Sequence, residues 1–252
     1  MNHLQLQDKV ICITGALGTA GSAAIKLFLD RGAKVAACDL NHYEQFEDMK
    51  ALQDMYEKER LLYIQADVTN EQRVSELFAE IKANFGQLDG LYHNVYVNHY
   101  KRIADQSLAS WEATMNGTLT STFLVCKYAA ELMAQSGGGS IVNTSSILGS
   151  TALEGNAGYG AAKAGIEQFT RVLALEYAEK GIRANTIVPG DFRSELDWNT
   201  SSEEFKEKMK SDSMIGRSGK PNEINEVAAF LLSDAASYVT SSAYGITGGL
   251  RL

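Results

Sequence analysis

Short, unbroken apolar runs alternate with longer stretches of helical periodicity from one end of the chain to the other. Runs at 10–13, 34–38, 62–66, 90–95, 140–144, 183–188 and 243–247 read as strands buried on both faces. Between them, apolar positions three and four apart predict helices. These run from a first glycine turn to about 29, then over 43–60, 71–85, 110–133, 159–179 and 222–232. Arg31-Gly32 and Phe85-Gly86 end two of them, because glycine fits readily just beyond a helix terminus. Pro189 has no donor for a sheet ladder, so Pro189-Gly190 closes the sixth strand. Residues 191–218 are polar and serine-rich, with helical potential over 203–210, and read as a loop region. Seven strands joined by helices predict an α/β fold, a parallel sheet covered on both sides and doubly wound through right-handed crossovers.

Composition narrows the classes of function. The 252 residues, 45% of them hydrophobic, suffice for one large core, and a single domain over 1–252 is expected. A net charge of -8 without a basic stripe disfavours nucleic acid as a partner. No apolar stretch approaches a membrane span and no signal-peptide pattern opens the chain, so no membrane association is expected. Cys12, Cys38 and Cys126 form no paired motif, which fits a reducing, cytoplasmic location. His93 and His99 lack a third ligand at metal-site spacing, so no metal is expected.

The first chemical signal is Gly15, Gly18 and Gly21 between the first strand and the first helix. A tight turn that exposes amide hydrogens at a helix start suits a phosphate. Asp39 ends the second strand, eighteen residues beyond Gly21, where a carboxylate can hold a ribose 2′-hydroxyl and repel a 2′-phosphate. Leu40 adds no positive charge, so NAD is favoured over NADP. Asp39 as an ordinary turn former is the competing reading, and Asp67 ends the third strand with the same choice of roles.

The second signal is Tyr159 and Lys163, four apart on one helix face, thirteen residues and more beyond Ser146. A phenol can take the proton of an alcohol or return it to an alkoxide. A nearby ammonium favours the phenolate, and a hydroxyl can donate to the reacting oxygen. Asn116, on the preceding long helix, is a candidate to hold a water beside Lys163. Each residue alone is commonplace. Their joint occurrence with the glycine turn points to carbonyl/alcohol redox chemistry.

With these motifs in order, the chain resembles the short-chain dehydrogenase/reductase family along essentially its whole length. The resemblance implies a Rossmann-type domain with seven parallel strands and a catalytic Asn-Ser-Tyr-Lys set at Asn116, Ser146, Tyr159 and Lys163. It implies NAD contacts at Gly15, Gly18, Thr19, Ala20 and Gly21, at Asp39 and Leu40, at Asp67 and Val68, and at Asn94. Pro189, Gly190 and Ser194 are implied on the nicotinamide side, with Tyr159 and Lys163 shared between cofactor and catalysis. A homotetramer, joined through the long helices and the last strand, is also implied. Two positions depart from the family pattern: Thr19 stands where a glycine is usual, and His93-Asn94-Val95-Tyr96 replaces N-N-A-G.

The resemblance also implies three loops, at 96–107, 147–158 and 191–218, around a small polar alcohol or ketone. Arg102 or Arg193, if turned inward, would suit an anion; Glu154 and Asn156 would suit hydroxyl groups. An NAD-binding scaffold with little turnover, or a lyase, dehalogenase or epimerase that reuses the tyrosine, are the competing functions.

Overall fold

The computed structural model describes residues 5–250. Its seven strands are β1 (Val10–Thr14), β2 (Lys34–Asp39), β3 (Leu61–Gln65), β4 (Gly90–His93), β5 (Gly139–Thr144), β6 (Ile182–Pro189) and β7 (Ala243–Ile246). All pair in parallel, in the order β3-β2-β1-β4-β5-β6-β7. The doubly wound Rossmann-type sheet expected from the apolar runs is therefore the fold. Its order reverses between β1 and β4, and a crevice opens there beyond the strand ends, the usual ligand position in such sheets.

Helices α1 (Thr19–Asp30), α2 (Glu47–Met55), α3 (Glu71–Phe85), α4 (Leu108–Met115), α5 (Ser121–Gln135), α6 (Ala157–Tyr177), α7 (Glu195–Thr200), α8 (Glu203–Asp212) and α9 (Pro221–Leu232) complete the chain. Alternate residues of β1 divide between two cores: Val10 and Cys12 face α3 and α5, whereas Ile11 and Ile13 face α1 and α9. One core contains Leu77, Ile81, Val125 and Met133; the other contains Ile25, Phe28, Ile224 and Leu232. A buried polar link ties the second core to the glycine turn. Tyr92 on β4 donates to Asn225 at 3.0 Å, and the Asn225 amide donates to Ala20 O at 3.0 Å.

Three of the predicted elements differ from the sequence expectation, and α7 folds within the stretch read as a loop. The helix expected over 43–60 is a 3-10 turn (Tyr43–Gln45) followed by the shorter α2, because Phe46 is extended and Tyr56 already leaves the helix. The run at 90–95 stops pairing at His93, and Val95 packs against the α3–α5 core instead. The helix expected over 110–133 holds a wide π turn at Asn116–Thr120 between α4 and α5. Glycine and threonine are weak helix formers, and the extra width seats Val97 against Gly117. A Cβ at Gly117 would lie 2.2 Å from Val97 Cγ2.

No helix among the described residues is long and apolar enough to cross a membrane.

Candidate active site

The glycine turn after β1 is shaped by contact as well as by flexibility. Gly15 takes φ +66°, and a Cβ at Gly21 would fall 2.2 Å from Gly15 O, so the first turn of α1 can lie directly on the loop only if position 21 is glycine. Gly18 is the N-cap of α1, with no side-chain cap and no acidic residue in the first turn. Gly18, Thr19, Ala20 and Gly21 at this helix start line a cleft of about 400 Å³. Thr19, at the departure from the usual glycine, is exposed and opens the helix without displacing it.

A neighbouring cavity of about 300 Å³ shares Gly15, Gly18, Asn94 and Tyr96 with the cleft and extends to Asp39, Leu40, Asp67 and Val68. Asp39 is held firmly: Leu17 N donates to Oδ2 at 3.0 Å and Asn41 N to Oδ1 at 3.2 Å. It thus braces the glycine turn and also faces the cavity. No lysine or arginine lines that cavity among the described residues. Asp67 accepts from the amide and hydroxyl of Thr69, while Asn70 caps α3. A dinucleotide fits this surface, with phosphates at an uncapped helix start and a carboxylate at the end of β2.

On the far side of the turn, Ser146, Tyr159, Lys163, Pro189 and Gly190 line the cleft together. β5 delivers the two serines, which do different things. The Ser145 hydroxyl lies 3.0 Å from Lys163 O and 2.9 Å from Glu167, locking the loop to α6, and Ser146 lines the cleft beside it. Tyr159 and Lys163 lie one helical turn apart at the start of α6. Lys163 Nζ donates to Thr144 O at 2.6 Å and is only 1% exposed.

Electrostatics in the free protein run against the simplest sequence expectation. Burial pushes the Tyr159 phenol up to about 12; a hydrogen bond with Ser146 pulls it down and Tyr96 pushes it up further. Burial also brings Lys163 down to about 7. Burial is thus the largest cause for both groups, raising the phenol and lowering the amine, because each loses the water that would stabilise its charged form. His93, fully buried, is held down at about 3 by burial and by the Lys163 charge. Its Nδ1 lies 2.7 Å from the Thr14 hydroxyl, while Nε2 has no partner.

Asn116 is not brought into this group. Its side chain is exposed and accepts from Thr120 at 3.3 Å, outside the cleft. The buried residues of the π turn are Gly117 and Thr118, and the Thr118 hydroxyl accepts from Val97 N and donates to Val97 O, both at 3.0 Å. Periodicity carried this signal: Thr114, Thr118, Ser121 and Val125 form the buried stripe, and Asn116 falls off its phase. Ser194 also lies elsewhere. It caps α7 and lines a separate groove beside α1 and α2. Neither arginine is free for an anion, since Arg102 pairs with Glu154, and Arg193 pairs with Asp191 and stacks 3.9 Å from the Phe205 ring centre.

This arrangement can be compared with known proteins. The family described as enoyl-(acyl carrier protein) reductase matches residues 15–251. A cis-4-hydroxycyclohexanecarboxylate dehydrogenase of Sinomonas cyclohexanicum is 36% identical over 96% of each chain. The chain belongs to the short-chain dehydrogenase/reductase family. An NAD-dependent glycerol dehydrogenase of Listeria innocua is 34% identical, covering 98% of this chain and 95% of its own. A short-chain dehydrogenase/reductase structure from Mycobacterium ulcerans superposes with a TM-score of 0.90 at 28% identity, over 98% of this chain and 92% of that one. This short-chain dehydrogenase/reductase is accordingly an oxidoreductase by family. The site residues are where its specificity must be read.

Proposed function

We propose that the protein interconverts a neutral, polar secondary alcohol and its ketone with NAD. The observation that carries this reading is the convergence of Ser146, Tyr159 and Lys163 in one cleft that opens onto the glycine turn. NAD over NADP is supported by Asp39 and by the lack of a basic residue in the adjoining cavity. A polyol or cyclic diol is supported by the pairing of Arg102 and Arg193 with carboxylates, which engages both candidate guanidinium groups. A relative named for glycerol fits that class. The loop region 191–218, which contains α7 and α8, borders the cleft through Asp191 and Phe192.

When bound, the nicotinamide ring would exchange the hydride with the carbon that carries the hydroxyl. Ser146 donates to the substrate oxygen. Tyr159 removes the alcohol proton in oxidation and returns it in reduction. Its position near 12 in the free protein requires a positive charge close by before the phenolate becomes accessible. Lys163, brought down to about 7, holds ribose hydroxyls and passes protons near neutrality without help from Asn116. We assign the oligomer as a homotetramer, supported by the apolar residues exposed along α5 and α6.

The test combines fluorescence titration with NADH and NADPH and turnover of a panel of polyols and cyclic diols. We expect NADH to bind more tightly. Tyr159→Phe should lose about 10²–10⁴-fold in kcat while binding NADH within about twofold, because only the proton path is removed. A variant with near-normal turnover refutes the role of Tyr159. Wild-type binding without turnover on any alcohol would favour a scaffold instead.

A further inference from the structure

The cleft contains an aromatic side chain that the catalytic reading does not use. Tyr96 stands between the two halves of the dinucleotide surface and lines both cavities. Its ring meets the Tyr159 ring edge-on at 5.7 Å, and Lys163 Nζ lies 5.5 Å from the centre of each ring. Behind the ammonium is Thr144 O. The two rings therefore account for the cleft side of a lysine that is 1% exposed, although it lines the cleft.

The backbone that carries Tyr96 is clamped on both sides. Asn94 N donates to Thr14 O at 3.2 Å, and the Thr144 hydroxyl donates to Asn94 Oδ1 at 2.8 Å. Val97 sits in the socket of Gly117 and Thr118, with both its backbone polar groups bonded to the threonine hydroxyl. The loop cannot retreat easily, but the Tyr96 side chain is 59% exposed and has open solvent beside it. For a ribose diol to reach Lys163, one ring must move, and Tyr159 must stay to serve as the acid/base.

We propose that Tyr96 is a specificity-determining cap on Lys163: its ring seals the ammonium until a ligand supplies hydroxyl groups that replace it there. This rests on the nicotinamide reading above and goes beyond it by naming the residue that decides which ligands reach the lysine. A site that is competent in only part of its population binds with an apparent affinity reduced by that fraction. An edge-on aromatic pair and a cation over a ring supply an interaction of the size that sets such a fraction.

The experiment titrates NADH and ADP into the wild-type protein, Tyr96→Phe and Tyr96→Ala. ADP lacks the second ribose and so makes no demand on Lys163. Tyr96→Ala should tighten NADH roughly threefold to tenfold, Tyr96→Phe should match the wild type, and the change for ADP should be much smaller. NADH binding that is unchanged or weaker in Tyr96→Ala, or a change of equal size for ADP, overturns the cap while leaving the nicotinamide reading intact. A wild-type protein that binds neither NADH nor ADP removes the nicotinamide reading and the cap with it.

Discussion

At the scale of single residues, Lys163 is a side chain whose charge its surroundings strongly disfavour. Its amine stands at about 7 in the fold against 10.5 when unperturbed, with burial as the cause. The sign of the linked stability follows. Below about pH 7 both folded and unfolded chains carry the ammonium, and its full desolvation opposes folding. Between the two values the unfolded chain binds more protons, so stability contributed at this site rises with pH. We therefore expect the difference in Tm between wild type and Lys163→Met to move in favour of the wild type from about pH 6 to about pH 10. Thermal unfolding at several pH values reads it, and a flat difference would show that solvent reaches the amine. Tyr159 works in the opposite range, since its raised phenol penalises folding only above the ordinary tyrosine value.

At the scale of elements, the π turn between α4 and α5 is the piece of local structure that shapes the site from outside it. Gly117 leaves room for Val97, and Thr118 bonds it, so the turn fixes the segment that bears Tyr96. Gly117→Ala should destabilise the protein by about 1–3 kcal/mol through overpacking, and Val97→Ala in the same chain should recover part of the loss. Denaturant melts of the two single variants and the double variant measure the coupling; simple additivity would mean that the two side chains do not press on each other. The turn also shows how far the sequence could be read. The helix was plain from its periodicity, but an asparagine within a familiar motif drew attention away from the buried stripe that runs through Thr118. Likewise the family resemblance implied Ser194 on the nicotinamide side, yet its hydroxyl is taken by the start of α7. A motif gives residue types in order; it does not say which way each side chain turns.

At the scale of the whole molecule, the parallel sheet puts Thr14, Asp39, His93, Thr144 and Pro189 at or beside one edge, where all strands end in the same direction. The outer faces of α5 and α6 carry a different message. Phe123 and Phe169 meet edge-on at 6.3 Å, and Val172 and Leu175 lie exposed beside them, with Leu175 78% open to solvent in the isolated chain. Apolar residues grouped on two long helices favour contact with another copy of the chain. Leu175→Glu should shift the proposed tetramer to smaller species by light scattering while leaving the fold intact by circular dichroism. An unchanged mass would place the contact on another surface.

The order of strands and helices, the glycine turn and the Tyr159/Lys163 pair were determined by the sequence alone, because periodicity and spacing are local properties that survive without knowledge of neighbours. The tertiary structure decided what happens where distant segments meet. It turned Asn116 outward and Thr118 inward, paired both candidate arginines with carboxylates, and laid Tyr96 against Lys163. Burial, which depends on every packed segment at once, then moved the lysine and the phenol far from their ordinary values.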